Sequence, residues 1–342
     1  MATFVKNKII IAHNSIMEAE QTIKPYVLGL DLGGTNAVFG IIDAHGIIKA
    51  TTAIKTQECA SAEDFVKNAT EALQIIIDQV GGIGKIKGMG IGAPNGNFYS
   101  GTIERAANIA WAKGIVPLAD MFSQSLGIPV ALTNDANAAA LGEMAYGVAK
   151  GMKNFIMITL GTGVGSGIVV NGQLVYGSDG FAGELGHVIM VRENGRSCGC
   201  GRRGCLETYC SATGVARTAR EMLSTTDRPS LLRELDPEKI TSLDISIAAG
   251  KGDKMAKDIF EFTGRMLGQA CADFATFCSP EAFVFFGGLV KAGELIMEPI
   301  RRAYAESVMP VFRGKAKFLV SALDGSTAAV LGASALGWDL ED

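Results

Sequence analysis

No apolar run in the 342 residues approaches the roughly 18 positions needed to span a bilayer, although hydrophobic residues make up 48% of the chain. Base is not in excess either: acidic residues outnumber basic ones by 35 to 31, a formal charge of −4. That balance excludes an electrostatic grip on nucleic acid or anionic lipid as the main activity. The opening "MATFVKNKIIIAHNSIMEAEQ" has two lysines and a short apolar stretch soon followed by Glu18 and Glu20, which makes a poor signal peptide. These absences predict a cytoplasmic protein with neither membrane nor nucleic-acid partner, and a frayed or helical extension over residues 1–25. The length suits two domains, each with a sizeable core.

Cysteine is also scarce, seven in all, yet three of the seven fall within eight positions in "GHVIMVRENGRSCGCGRRGCLE" (186–207). Cys59, Cys210, Cys271 and Cys278 are scattered through apolar or helix-like stretches and read as small buried side chains. Cys198, Cys200 and Cys205 are separated by Gly199, Gly201 and Gly204, which allow the tight turns needed for three sulfurs to converge. His187, eleven residues ahead of Cys198, completes a Cys₃His set, the closed tetrahedral arrangement of a structural zinc. Arg192, Arg196, Arg202 and Arg203 lie near in sequence to offset its negative charge. The alternative, a glycine-rich surface loop of free thiols, would be an oxidation liability. A metal with no open coordination position holds a loop and does no chemistry.

Two stretches share one plan. "YVLGLDLGGTNAVFGIIDAHGIIKATTAI" reads as strand, glycine-rich turn, strand, turn and strand, and "FIMITLGTGVGSGIVVNGQLVYG" repeats it. Aligned on "LDLGGT" (30–35) and "ITLGTG" (158–163), with helix-like stretches at 61–79 and 254–277, they predict an α/β chain of two related domains with a cleft between them. Each glycine turn is either a tight hairpin or a phosphate cradle of bare N–H groups. Neither holds the G-x-x-x-x-G-K-[ST] of a P-loop, and the residues after Gly165 form a strand where a dinucleotide fingerprint would open a helix. Asp31, at the end of the first strand, is placed to hold the Mg²⁺ of a nucleotide. Asn134 and Asp135 sit where a strand gives way to a helix, which fits a capping aspartate.

With "DLGGTN" (31–36), "GIGAPNG" (90–96), "TNDANAAALGE" (133–143), "LGTGVGSG" (160–167), "GELGH" (183–187), "CGCGRRGCLE" (198–207) and "FGGLV" (286–290), the chain resembles the ROK family over about residues 26–338. That family comprises sugar kinases and related repressors of the actin/hexokinase superfamily, and the similarity is greatest to its glucokinases. The resemblance implies two ribonuclease H-like domains, one of residues 26–133 with 324–342 and one of 134–323 carrying the zinc loop, with hinges near 133 and 324. It implies transfer of the γ-phosphoryl of ATP to the 6-hydroxyl of glucose, with Asp135 as general base. Asn108, Asn134, Asp135, Glu184, His187 and Glu207 are then the hexose contacts. Gly33, Gly34, Thr35, Asn36, Thr162 and Gly163 are the phosphate contacts, and Gly287 and Gly288 lie near the nucleotide, although a plain strand-to-helix turn explains the last two equally well. The family also favours dimers or tetramers.

Three rival readings stand beside this one. A sugar-responsive repressor would need a winged helix of about 60–80 residues, and only 25 residues precede Tyr26. A kinase for N-acetylglucosamine, N-acetylmannosamine, mannose or fructose fits the same motifs. A non-catalytic sugar-binding protein would have no need of both Asp31 and Asp135.

Overall fold

Tyr26–Leu32 (β1), with sequence YVLGLDL, is buried along nearly all its length, as befits a central strand covered on both faces. It pairs antiparallel with Asn36–Asp43 (β2), which pairs antiparallel with Ile48–Lys55 (β3), an edge strand whose residues alternate between exposed and half-buried. The computed structural model describes residues 24–323 and 325–341, so residues 1–23 of the expected extension and position 324 of the expected second hinge lie outside the described residues. After β3 come the helix Ala62–Gln79 (α1) and the strand Ile86–Gly92 (β4). A small sheet of Gly96–Asn97 (β5), Thr102–Glu104 (β6) and Ile115–Val116 (β7) follows, then Leu118–Leu126 (α2), Val130–Thr133 (β8) and Asp135–Tyr146 (α3). The Ser61 hydroxyl accepts from the Asp64 N–H, and Glu63 and Asp64 sit in the first turn, so both capping and dipole start α1 where it begins.

The second unit repeats the plan with Phe155–Leu160 (β9), Val164–Val170 (β10) and Gln173–Leu174 (β11). Its helices are Glu207–Cys210 (α4), Ala212–Thr225 (α5), Ser242–Gly250 (α6) and Lys254–Cys278 (α7), followed by Ala282–Phe286 (β12), Glu294–Ser307 (α8) and Lys317–Val320 (β13). The main sheets have the orders β3-β2-β1-β4-β8 and β11-β10-β9-β12-β13, in each case a hairpin joined to two parallel strands. Two sheets of identical order account for the internal repeat seen in the sequence.

The chain divides into one unit ending at Tyr146 and resuming at Ser326, and a second of Gly147–Gly325. The first crossing therefore follows α3, where the sequence had suggested position 133. The reason lies in the final helix, Gly325–Trp338 (α9). Gly40, Gly29 and Gly90 stand in register across β2, β1 and β4, and a Cβ on Gly29 or Gly90 would strike the backbone carbonyls of Val330 or Ala333. The helix thus rests directly on backbone. Helix α3 joins it there through Gly142 against Gly332 and Ala138 above Gly92, and Trp338 Nε1 donates to the Tyr146 hydroxyl at 2.8 Å. The opposite face of this sheet carries Phe39, Phe65 and Phe122 in edge-to-face contact. The second unit has its own core, built on Ile156, Ile158, Phe260, Leu267, Phe283 and Ile300.

Candidate active site

Asp31 ends β1 and Asp135 follows β8, at the carboxyl ends of a parallel set where α/β sheets present their chemistry. Asn134 is the helix cap: its Oδ1 accepts from the Asn137 N–H at 2.7 Å. Capping, which the sequence had left open for Asp135, therefore falls to its neighbour. Asp135 keeps part of its surface exposed, and its Oδ1 accepts from the Ala136 N–H at 2.8 Å. Protein packed around it raises its pKa above the usual carboxylate value.

Burial, followed by the charge of Asp135, pushes Asp31 up to about 6. A carboxyl with a raised native pKa binds its proton more tightly when folded, so it stabilises below the unfolded value of 3.8 and that contribution is lost as pH rises through 6. In magnesium-free buffer, the urea stability of wild type relative to Asp31→Asn is expected to fall between pH 4 and 7 by at most about 3 kcal/mol. A difference that is flat with pH would show that Asp31 is not strained.

The first glycine turn is closed by the Gly33 N–H donating to Asn36 O at 3.0 Å, and Gly34 lies so close to Asn108 O that a Cβ would not fit. Lys55, opposite Asn36 across β2 and β3, donates to its Oδ1 at 2.9 Å. That places Asp31, Gly33, Gly34, Thr35, Asn36, Asn108, Asn134 and Asp135 on the first unit. The second unit carries Thr162, Gly163, Glu184, His187, Glu207, Gly287 and Gly288, with the cysteines. A Cβ on Gly287 would meet Leu160, so the turn after β12 sits beside the end of β9.

The segment from 187 to 207 folds as a narrow ribbon, with Ile189 bridged to Cys205 and Ser197 to Arg203. It gathers His187, Cys198, Cys200 and Cys205 so that one ligand atom from each lies within 4.8 Å of the others. The His187 Nδ1 is 3.6 Å from Cys198 Sγ, and Cys200 Sγ is 3.7 Å from Cys205 Sγ. Those separations match the edge of about 3.8 Å that a tetrahedron with ~2.3 Å metal–sulfur bonds requires, so the four residues fit a metal of zinc's preferences. The imidazole's Nε2 points instead to Glu184 Oε2 at 3.9 Å. Burial raises the Cys198 thiol to about 12 and lifts Cys205; Cys200 is exposed, and against an opposing desolvation it is held below the ordinary thiol value by the Arg202 N–H and the neighbouring thiols.

Residues 27–339 match the ROK family. The chain belongs to the ROK family. The glucokinase of Halalkalibacterium halodurans is 36% identical over 92% of this chain and 94% of its own. A ROK family glucokinase from Streptomyces griseus, solved in complex with glucose and AMPPNP, superposes with a TM-score of 0.73 at 35% identity, over 91% of this chain and 98% of that one. A ROK family transcriptional regulator, a homolog of the E. coli MLC protein, superposes with a TM-score of 0.80 at 25% identity, over 92% and 78%. The chain has the actin/hexokinase-like α/β fold of these ROK proteins.

Within this ROK site, the sequence assigned Arg196 a different role and gave no signal for Thr213. Arg196 is buried rather than turned to the thiols: its guanidinium donates to Thr208 O at 2.8 Å, Gly214 O at 3.2 Å, Thr218 Oγ1 at 2.9 Å and the Glu221 carboxylate, and lies 4.5 Å from the Tyr209 ring centroid. Of the four arginines expected to offset the cluster, Arg202 acts on Cys200, whereas Arg196 fastens the ribbon to α4 and α5. Thr213 donates through its hydroxyl to Thr162 O at 2.8 Å. That partner is 51 residues away, and no local spacing announces it.

Proposed function

We infer that the chain is an ATP-dependent glucokinase that transfers the γ-phosphoryl group to the 6-hydroxyl of glucose. The observation that carries this reading is the Asn134 cap, which leaves Asp135 uncommitted at the end of β8 with a raised proton affinity, in a chain about 36% identical to a glucokinase. Asp135 accepts the proton of the sugar hydroxyl as the phosphoryl group arrives. By resemblance to the family, Asn108, Asn134, Glu184, the Nε2 of His187 and Glu207 contact the remaining hydroxyls. Gly33, Gly34, Thr35, Asn36, Thr162 and Gly163 receive the phosphates, and Gly287 and Gly288 lie toward the nucleoside. Asp31 would hold Mg²⁺, which supplies charge neutralisation on the phosphates. His187, Cys198, Cys200 and Cys205 would hold Zn²⁺, whose contribution is structural.

No helix among the described residues is long and apolar enough to cross a membrane. The same reading makes the protein a cytoplasmic dimer or tetramer. The test is ADP release with Mg²⁺-ATP across glucose, mannose, fructose, N-acetylglucosamine and N-acetylmannosamine. Turnover is expected on glucose. Turnover confined to an acetylated sugar would keep the mechanism and replace the substrate, and silence on all five would remove the kinase reading.

A further inference from the structure

The second glycine turn, residues 161–163 between β9 and β10, has its carbonyls occupied and the N–H groups of Thr162 and Gly163 open, while the Gly161 N–H donates to Gly163 O at 3.1 Å. Gly161 O accepts from the Ala212 N–H at 2.8 Å, and Thr162 O accepts from the Thr213 hydroxyl at 2.8 Å. Glu207 Oε2 accepts from the Val164 N–H at 3.0 Å, on the side of Gly163 where a side chain would project. Among the described residues, the N–H groups of Thr162 and Gly163 have no partner. A phosphate is repelled by carbonyl oxygens and held by bare N–H groups, so a turn with this polarity suits the charged end of a nucleoside triphosphate.

All three anchoring groups lie just past the last cysteine of the cluster. Glu207 is two residues beyond Cys205, and its Oε1 lies 3.7 Å from Cys198 Sγ. Arg196 ties the ribbon to Thr208 and Gly214, the residues that bracket the rest of the anchoring segment. Ser211 caps α5 by accepting from the Gly214 N–H at 3.0 Å and shares a 2.9 Å contact with the Thr213 hydroxyl, which fixes the rotamer that reaches the turn. The first N–H of α5 is spent on Gly161 O. The helix terminus therefore shapes the anion site rather than serving as one.

We propose that Thr213 is a positioning residue for the phosphates of the nucleotide, and that the metal cluster sets the ATP end of the site as well as the sugar end. This rests on the kinase reading. Thr213→Val removes the hydroxyl donor at nearly constant volume, and Thr213→Ser keeps it. In Thr213→Val the Kd for Mg²⁺-AMPPNP, measured by calorimetry, and the KM for ATP are expected to rise about five- to tenfold, the effect of one misplaced hydrogen bond, with the glucose KM unchanged. Thr213→Ser is expected to restore both. Metal removal is expected to weaken AMPPNP binding in the wild type and to abolish the difference between wild type and Thr213→Val.

An unchanged Kd for AMPPNP in Thr213→Val would overturn the proposal. So would an equal loss of glucose and nucleotide affinity that serine does not rescue, because that is general loosening of the unit. Wild-type turnover on glucose, followed in the same series, is the separate check on the kinase reading: protein that binds AMPPNP but phosphorylates no sugar removes that reading and leaves the comparison of variants standing.

Discussion

Replacing Asp135 with alanine is expected to lower turnover on glucose by about 10²- to 10⁴-fold, the range that a positioned general base supplies. Phosphoryl transfer asks little covalent chemistry of the protein, so the loss should fall on kcat while binding of ATP and sugar changes less. The fold should survive, because Asn134 is the residue that caps α3 and Asp135 makes only a local bond to the Ala136 N–H. Asn134→Ala is the informative contrast: it removes a cap worth about 1 kcal/mol, and so should lower stability where Asp135→Ala does not. Steady-state kinetics beside urea unfolding of both variants makes the measurement. Near-normal turnover in Asp135→Ala would take Asp135 out of the role.

The second large effect is expected at the cysteine cluster. Elemental analysis of freshly purified, reduced protein should find about one zinc per chain, as a Cys₃His set with tetrahedral spacing requires. Cys205 is fully buried, so Cys205→Ser should lose the metal, and turnover should fall by at least about 10²-fold, beyond what is usual when only a supporting contact is lost. The second core centres on Ile156, Phe260, Phe283 and their neighbours, with Val188, Met190 and Val191 of the ribbon packed against its edge, so it should keep the unit folded, which circular dichroism can check. The loss is expected because the ribbon carries His187 and runs straight into Glu207, and because Gly186 presses on the Val164 backbone, so the loop cannot shift alone. Absence of metal together with full turnover in Cys205→Ser would end the Cys₃His assignment.

How far the site was legible depended on how local each signal was. The cysteine spacing, the paired glycine turns and the strand-to-helix step at Asn134 are short-range patterns, and they placed the ribbon, the two hairpins and the start of α3 closely. The boundary after α3 was not legible, because it depends on the glycines of three strands meeting a helix from the far end of the chain. Likewise, Arg196 looked like a counter-charge to the thiols by proximity in sequence, whereas its partners, Thr208, Gly214, Thr218 and Glu221, lie 12 to 25 residues further along the chain. A buried guanidinium goes where its donors can all be satisfied, and sequence distance does not report that.

By itself the sequence determined the chain's class: two copies of an α/β hairpin unit, a Cys₃His ribbon, and motifs that match one family from residue 27 to 339. These are properties of residue type and spacing, and backbone conformation follows them within a few positions. Only the tertiary structure decided which neighbour caps α3, which nitrogen of His187 meets the thiols, where Arg196 spends its charge and what holds the second glycine turn. Each of those is a hydrogen bond between segments brought together by sheet register and helix packing, and a hydrogen bond depends on distances of a few ångströms that only the assembled fold defines.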